Sequence, residues 1–451
     1  MPGFFDRLRY GKQYGYEVLF KRQPKFATGK VGVIVAESGL PEEYEFEFYS
    51  NFMEHVFHYT LPPFLIPLIL ADKGIGLIDP DNPLAREAFQ PRQLVDAQGS
   101  TTNRQGVPYT ECPLKWIPPG VQKNPWDHGY FLYVEEGPNG KPDLCDKVGA
   151  KIVGWYYGKL IPEKKVSWRS QLWKVYAEAV AVLAARYPEV AFRNAYYMYP
   201  ETLRRAVEEL LSAGCETIVY QSINCPLYTD FEDYGHALPH LHQLVGGRAR
   251  VLMADQLGNQ SSMAEAFLAI LRDQLAELPP QASLMVILSR HGHPFKKETQ
   301  DERAHLYRDR LEAGAREMLL ARGGTWRLVW TFDEYADDYW DQKNTKLDTA
   351  DAYAEAIRAG YEYVLELPTD FPAENTDLMI FHAMKKFGAF PDYDRNAPIP
   401  YPDWEKPLVR TFHAGKTTGI YAGCPVGPYR KYVSTALVNS LNEVLAGGRD
   451  A

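Results

Sequence analysis

Runs of basic residues are missing from this 451-residue chain, in which 58 acidic side chains outnumber 49 basic ones to leave a formal charge of -9. A protein that grips a phosphate backbone needs the opposite balance. No nucleic-acid partner is expected, and a small molecule or another protein takes its place. Cysteine is scarce: five residues (Cys112, Cys145, Cys215, Cys225, Cys424), none at CxxC or CxxH spacing. Neither a zinc knuckle nor a disulfide framework can be built from them, which fits a reducing cytoplasm. The amino-terminal MPGFFDRLRYGKQ lacks the apolar core of an export signal, so the expected location is cytoplasmic. The most apolar early run, Tyr59 to Leu70, is broken by Pro62, Pro63 and Pro67 and falls well short of the roughly 20 residues a spanning helix needs. No transmembrane segment is expected, and peripheral membrane contact stays open beside the plainer reading of a buried segment. Nucleotide fingerprints are absent too: Gly74-Ile75-Gly76 does not continue as GxGxxG, and there is no GxxxxGK[ST] loop.

What is present is a core. With 45% hydrophobic residues a chain this long builds two domains or one elaborated domain. Val31 to Ala36 is a short apolar strand, and Trp168 to Arg186 carries Leu172, Val175, Ala179 and Val182 at helical spacing. A strand at Val190 to Ala195, a helix at Glu201 to Ala213 stopped by Gly214, and a strand at Thr217 to Tyr220 follow. Strand and helix in alternation give a parallel sheet. The second half repeats the grammar: VEELLSAGCETIVY (Val207 to Tyr220) can be laid on YAEAIRAGYEYVLE (Tyr353 to Glu366), with Ala213-Gly214 over Ala359-Gly360. The expected fold is α/β, two Rossmann-like three-layer domains with parallel sheets. The first covers 1–280 and is completed by the C-terminal helix in 425–451; the second covers 281–424. Residues 79–146, rich in proline and glycine, form a long loop-rich insertion in the first domain, with Trp116, Trp126, Tyr130 and Phe131 as candidates to cover a cleft.

Three clusters could carry chemistry. In LMVILSRHGHPF (Leu284 to Phe295) an apolar strand delivers His291 to a loop, and ligands of parallel sheets bind beyond the carboxyl ends of strands. A neutral imidazole there serves as base or metal ligand; a histidine anchoring its own loop is the equal alternative. After the strand Tyr363 to Leu367, Glu374, Asn375 and Asp377 stand at the mouth of a helix. Glu374 and Asp377, three apart, can pair on one face, although acids at a helix start also serve as caps. The third cluster, PLYTDFEDYGH (Pro226 to His236), holds Tyr228 among acids, and a solvated loop accounts for most of it.

In order and local wording these segments resemble the ferrochelatase family, the class II chelatases that insert a divalent metal into a tetrapyrrole without ATP. The family's SAHGLP resembles Ser289 to Pro294, with His291 over its catalytic histidine; NLGTP resembles Glu37 to Pro41; RYGNPS resembles Tyr196 to Glu201; PLYPQYS resembles Pro226 to Phe231; and FxSDHLET resembles Phe371 to Leu378. That last match sets Glu374 over the family aspartate, Asn375 over its histidine and Asp377 over its catalytic glutamate. The chain departs from the family in having Asn375 for histidine, Asp377 for glutamate, and Tyr196-Tyr197-Met198 for Arg-Tyr-Gly. The resemblance implies a chelatase-like fold with a tetrapyrrole in the cleft between domains. It implies insertion of Fe2+ into a porphyrin, as in haem biosynthesis, with the metal a substrate and no tightly bound cofactor. His291 would be proton acceptor and metal ligand, and Glu374 and Asp377 metal ligands or a proton relay. Ser38, Tyr196, Tyr228, His293 and Asn375 would touch the ring. A chelatase for Co2+ or Ni2+ or for another ring, and a non-catalytic tetrapyrrole carrier, remain alternatives, and the oligomeric state stays open.

Overall fold

A computed structural model of the chain describes residues 23–49, 52, 76–77, 130–131, 135–136, 142–143, 154, 156–161, 165–223, 237–292, 299–333, 336, 346–394, 397–401 and 403–446. Tyr59 to Leu70, the expected ring contacts Tyr228 and His293, and Trp116 and Trp126 of the expected cover lie outside them. Of the 79–146 insertion, only three two-residue strands are described: Tyr130–Phe131, which pairs with Gly76–Leu77, and Glu135–Glu136, which pairs with Pro142–Asp143.

Two sheets carry the fold. The first holds β1 (Val31–Glu37), β2 (Ala191–Tyr196), β3 (Thr217–Ser222) and β4 (Arg250–Met253) in the order β2-β1-β3-β4, all parallel. The second holds β5 (Leu284–Arg290), β6 (Trp326–Phe332), β7 (Tyr363–Pro368), β8 (Arg410–Ala414) and β9 (Thr417–Tyr421) in the order β6-β5-β7-β9-β8, parallel except where β8 turns back on β9. The first three strands of each half therefore lie in one spatial pattern, 2-1-3, and the place beside the third is taken by the fourth strand in the first sheet and by the fifth in the second. The expectation of two α/β units with parallel sheets holds. VGVIVAE and LMVILSR are buried along their whole length; helices cover both faces of a parallel sheet, so its central strands read as unbroken apolar runs.

The sequence repeat marks equivalent joints. Helix α2 (Pro200–Ser212) hands over to β3 through Gly214, and α6 (Thr349–Ala359) to β7 through Gly360. Both glycines sit at positive φ, 78° and 73°, where a Cβ would clash with its own backbone. The helix α1 (Trp168–Arg186) buries Leu172, Val175, Tyr176, Ala179 and Leu183. Val182, expected on that stripe, is exposed, because the buried face advances through Tyr176 to Leu183 and leaves 182 one step off it.

Helices α3 (Leu238–Val245), α4 (Ser261–Glu277) and α5 (Thr299–Arg322) complete the connections. The last helix, α8 (Arg430–Leu445), packs on α1 and α4, and its Ser440 hydroxyl donates to Gln221 of β3 at 2.7 Å. The two halves also touch near the carboxyl ends of their sheets. Trp168 of α1 meets Phe371 edge to face at 6.2 Å, and the Tyr49 hydroxyl lies 3.2 Å from that of Thr376. No helix among the described residues is long and apolar enough to cross a membrane.

Gly419 in β9 lies under the ring of Phe390, 2.3 Å from where a Cβ would stand. Phe390 is itself held between Tyr353 and Phe412. Gly419→Ala should lower unfolding stability in urea by about 1–3 kcal/mol, the usual cost of overpacking; an unchanged midpoint would show that Phe390 has room to move.

Candidate active site

Each sheet reverses its strand order beside its first strand, and the crevice beyond the carboxyl ends at that point is where open α/β sheets take ligands. Glu37 closes β1 there in the first sheet. His291 follows β5 there in the second, with Asp333 one residue past β6 and Asp370 two past β7.

The loop at His291 is fastened by its backbone. Its N–H donates to Asp370 Oδ2 at 2.7 Å, and Nδ1 lies 3.0 Å from the Gly292 carbonyl. A carbonyl oxygen only accepts, so the proton sits on Nδ1 and the lone pair on Nε2. Burial, reinforced by the neighbouring His382, pulls the His291 pKa down to about 3. The ring is a neutral donor of electrons throughout the physiological range, and a weak base.

His382 begins α7 (His382–Lys386) and was not singled out in the sequence. Its ring centroid is 5.1 Å from that of His291, and both lie near Phe371, at 5.7 Å from His291 and 6.4 Å from His382. Asp333 Oδ2 stands 3.1 Å from His382 Nδ1, which favours the proton on that nitrogen and leaves the lone pair on Nε2. Burial works to raise the Asp333 pKa, but Lys386 and His382 outweigh it and hold the group ionised.

A π-helix, Asp377–Phe381, leads into His382, so no α-helical spacing in the sequence links it to Asp377. Its wider turn lets the His382 N–H reach the Asp377 carbonyl, five residues back. In an α-helix, residues five apart point in different directions; one π turn brings them closer to one side, and such turns gather at functional sites. The Asp377 carboxyl is raised by burial and drawn back by its interaction with His382, so His291 and Asp377 each interact with the same imidazole.

Glu374 does not join them. Its Oε1 accepts the Cys424 N–H at 2.8 Å, and Oε2 lies 3.1 Å from the Tyr421 hydroxyl, which ties the loop after β7 to the exit of β9. Asn375 accepts the Leu378 N–H at 2.9 Å and so caps the π turn. Both are wholly enclosed. The expected pairing of Glu374 with Asp377 fails because the π-helix begins only at Asp377, so Glu374 lies in the loop before it and shares no helical face with it.

Beneath this wall lies a buried ion network. Lys386 Nζ is 2.5 Å from Glu366 Oε1 and 3.3 Å from Asp333 Oδ2; Glu366 also accepts from Ser289 and from Tyr353, each at 2.6 Å. Burial alone would lower the Lys386 pKa, yet the two carboxylates raise it.

On the facing side, Glu37 Oε2 accepts from the Gly39 N–H at 2.6 Å, the Trp168 indole at 2.8 Å and, more distantly, Ser38 at 3.4 Å. Tyr196 is half-buried beside it, under the Arg169 guanidinium at 5.2 Å. Ser38 and Tyr196, two of the expected ring contacts, thus gather around Glu37. Tyr49 and Tyr157 extend this wall, their hydroxyls 3.2 Å apart. Among the described residues no three His, Cys, Asp or Glu side chains stand close enough together to hold an ion.

No protein-family model matches the sequence, and no curated protein matches it significantly. Among solved structures, SirB from Bacillus subtilis with Fe3+ is similar over 61% of this chain and 91% of its own, at 11% identity and a TM-score of 0.38. DR2241 from Deinococcus radiodurans, described as a multi-domain protein with structural similarity to chelatases and two additional novel domains, is similar over 59% of this chain at 12% identity and a TM-score of 0.32; this chain spans half its length. A solute-binding protein from Clostridium phytofermentas with bound L-rhamnose matches over 60% of this chain and 76% of its own, at 11% identity and a TM-score of 0.26. The likeness reaches a sugar-binding protein as well as SirB, so it selects no chemistry.

Two outcomes follow from the buried charges. Lys386→Met strands two carboxylates and should destabilise the protein by roughly 3–5 kcal/mol in denaturant unfolding; a loss below about 1 kcal/mol would show that the network relaxes. Burial lifts Glu374 from its ordinary 4.5 to about 7, so the folded state holds this proton more tightly than the unfolded chain. The associated stability is complete below about pH 4.5 and lost as pH rises through about 7, on the order of 3 kcal/mol in all. Glu374→Gln should flatten the fall in melting temperature between pH 5 and pH 8.5, and a wild-type slope in the variant would mean that the carboxyl is already ionised at pH 5.

Proposed function

We propose that this protein inserts a divalent metal, ferrous iron in the first instance, into a tetrapyrrole bound between the two sheets. The observation that supports the reading is the pair His291 and His382, ring centroids 5.1 Å apart beyond the carboxyl ends of parallel strands, with the Asp377 carboxyl acting electrostatically on His382. Metallation exchanges the metal's water shell for ring nitrogens and releases two pyrrole protons. Neutral imidazoles suit a borderline divalent ion and let it go again; an acid beside them draws the dication in. His291, held neutral down to about pH 3, acts as a transient metal ligand more readily than as a base, since efficient proton acceptance needs a pKa near the working pH. Asp377 is the acid of this wall. Glu374, committed to Cys424 and Tyr421, holds the loop that carries it. The aromatic residues Trp168, Phe371, Tyr49 and Tyr157, all buried nearby, are of the type that suits a flat apolar ring.

The test is insertion of Fe2+, Co2+, Ni2+ and Zn2+ into free-base porphyrin by purified protein, followed by the change from free-base to metallated spectrum. His291→Ala should slow insertion by about 100-fold or more and leave free-base affinity within about tenfold. Asp377→Asn should slow it and change the order of metals. Ring binding with no metallation by any of the four ions would mark a carrier, and wild-type rates in His291→Ala would leave His291 as an anchor of its loop.

A further inference from the structure

Glu37 presents a question that the His291 wall leaves unanswered. Its side chain is 2% exposed. One carboxyl oxygen takes all three donors, Gly39, Trp168 and Ser38, while Oε1 is buried with no hydrogen-bond partner. A buried polar atom without a partner carries a desolvation cost of about 1–3 kcal/mol and calls for a reason. The arrangement is also polarised: the donors fix the carboxyl plane through Oε2 and leave Oε1 as the atom able to gain a bond.

The position supplies the reason. Glu37 ends the first strand of its sheet at the order reversal, the place that His291 follows in the other sheet. A chain of contacts joins the two: the Trp168 indole donates to Glu37, Trp168 meets Phe371 edge to face at 6.2 Å, and Phe371 meets His291 in the same manner at 5.7 Å. The two groups thus stand on opposite sides of an aromatic pair, one from each half of the protein.

We infer that Glu37 Oε1 is a proton acceptor of this site, receiving a pyrrole N–H proton of the tetrapyrrole from the side opposite His291. The inference rests on the tetrapyrrole reading above and deepens it, by dividing the labour. The free-base ring carries two N–H protons and the metal enters as a dication, so insertion forms metal–nitrogen bonds and releases two protons with no change of oxidation state. In this scheme His291 meets the metal as a transient ligand, the Glu37 carboxylate becomes a carboxylic acid as it takes one N–H proton, and the other leaves to water. The acid then returns its proton to water when the product departs.

The surroundings suit that cycle. Burial raises the carboxyl to about 7, against the Gly39 N–H, the Trp168 indole, the Arg169 charge and the Ser38 hydroxyl, all of which lower it. Arg169 of α1 and Tyr196 at the end of β2 are the titratable groups that interact with it. Tyr196 is raised above its ordinary range and stays neutral, so of these three described groups Glu37 is the one that exchanges a proton near neutral pH. His291, at about 3, does not.

Glu37→Gln tests this, because the amide keeps the size of the side chain and an oxygen for Gly39 and Trp168 but cannot take up a proton. Wild-type metallation should rise with pH along a limb with its midpoint near 7. In Glu37→Gln the limb should vanish and the rate at pH 8 fall by about 100-fold, with free-base affinity within about tenfold. A readout independent of activity is the indole N–H resonance of Trp168, assigned through Trp168→Phe. It should shift with a midpoint near 7 in the wild type and stay fixed in Glu37→Gln. Wild-type protein that metallates, paired with a variant that keeps both rate and pH limb, would overturn the role of Glu37 and leave the metallation reading standing. Wild-type protein that neither binds nor metallates any ring, even though the Trp168 signal titrates, would overturn both. Should Glu37→Gln fail to fold, Glu37→Asp withdraws the carboxyl by one methylene and should keep the limb while lowering the rate; an undiminished rate in that variant would count against the proposal.

Discussion

Lys386 is the cation on which the second half of the site depends. It is enclosed between Glu366 of β7 and Asp333 at the end of β6, and a charge so far from water persists only if every partner is in place. Ser289 of β5 and Tyr353 of α6 complete the set on Glu366. One ammonium group therefore fixes the relative positions of three adjacent strands and of the helix that carries His382. Ion pairs of this kind add little to net stability, because desolvation offsets most of the attraction. Their effect is on geometry, since a misplaced strand would leave a bare charge in the core.

From that fixed point the chemistry is built outward. Asp333, shared between Lys386 and His382, holds the imidazole orientation. The π turn from Asp377 sets an acid on the same side, and His291 reaches the wall from β5 through a loop fastened to Asp370. Burial then separates the characters of these groups. It keeps His291 neutral and raises the carboxyls of Asp370, Glu374 and Glu37, each to about 7. Desolvation opposes charge of either sign, so one physical effect produces an electron-pair donor on one wall and a proton-exchanging acid on the other. Such divergence between neighbouring titratable groups is characteristic of sites that handle protons.

The strands were legible because apolar runs in a doubly covered parallel sheet have no other place to go, and VGVIVAE and LMVILSR are both wholly buried. The glycine-capped joints at Gly214 and Gly360 were legible for a local reason, the positive φ that each requires. Their recurrence carried the two-unit architecture. His291 was legible as well, since an apolar strand that stops at a histidine places it at a sheet edge whatever lies around it.

The rest depended on contacts between residues far apart in the chain. Spacing suggested that Glu374 and Asp377 share a helical face, but the helix begins only at Asp377, and its π turn brings the Asp377 carbonyl to the His382 N–H. Glu374 is turned toward Cys424, fifty residues on, and no local pattern announces that hydrogen bond. Glu37 looked like the end of a strand, and only Trp168, 131 residues later, made it a carboxyl with one oxygen held and one left over. The sequence by itself determined where strands and helices form, because dihedral preference and the period of burial are local properties. Which side chains meet one another, and which are ionised, was decided by tertiary structure alone, because desolvation and pairing depend on neighbours that only folding supplies.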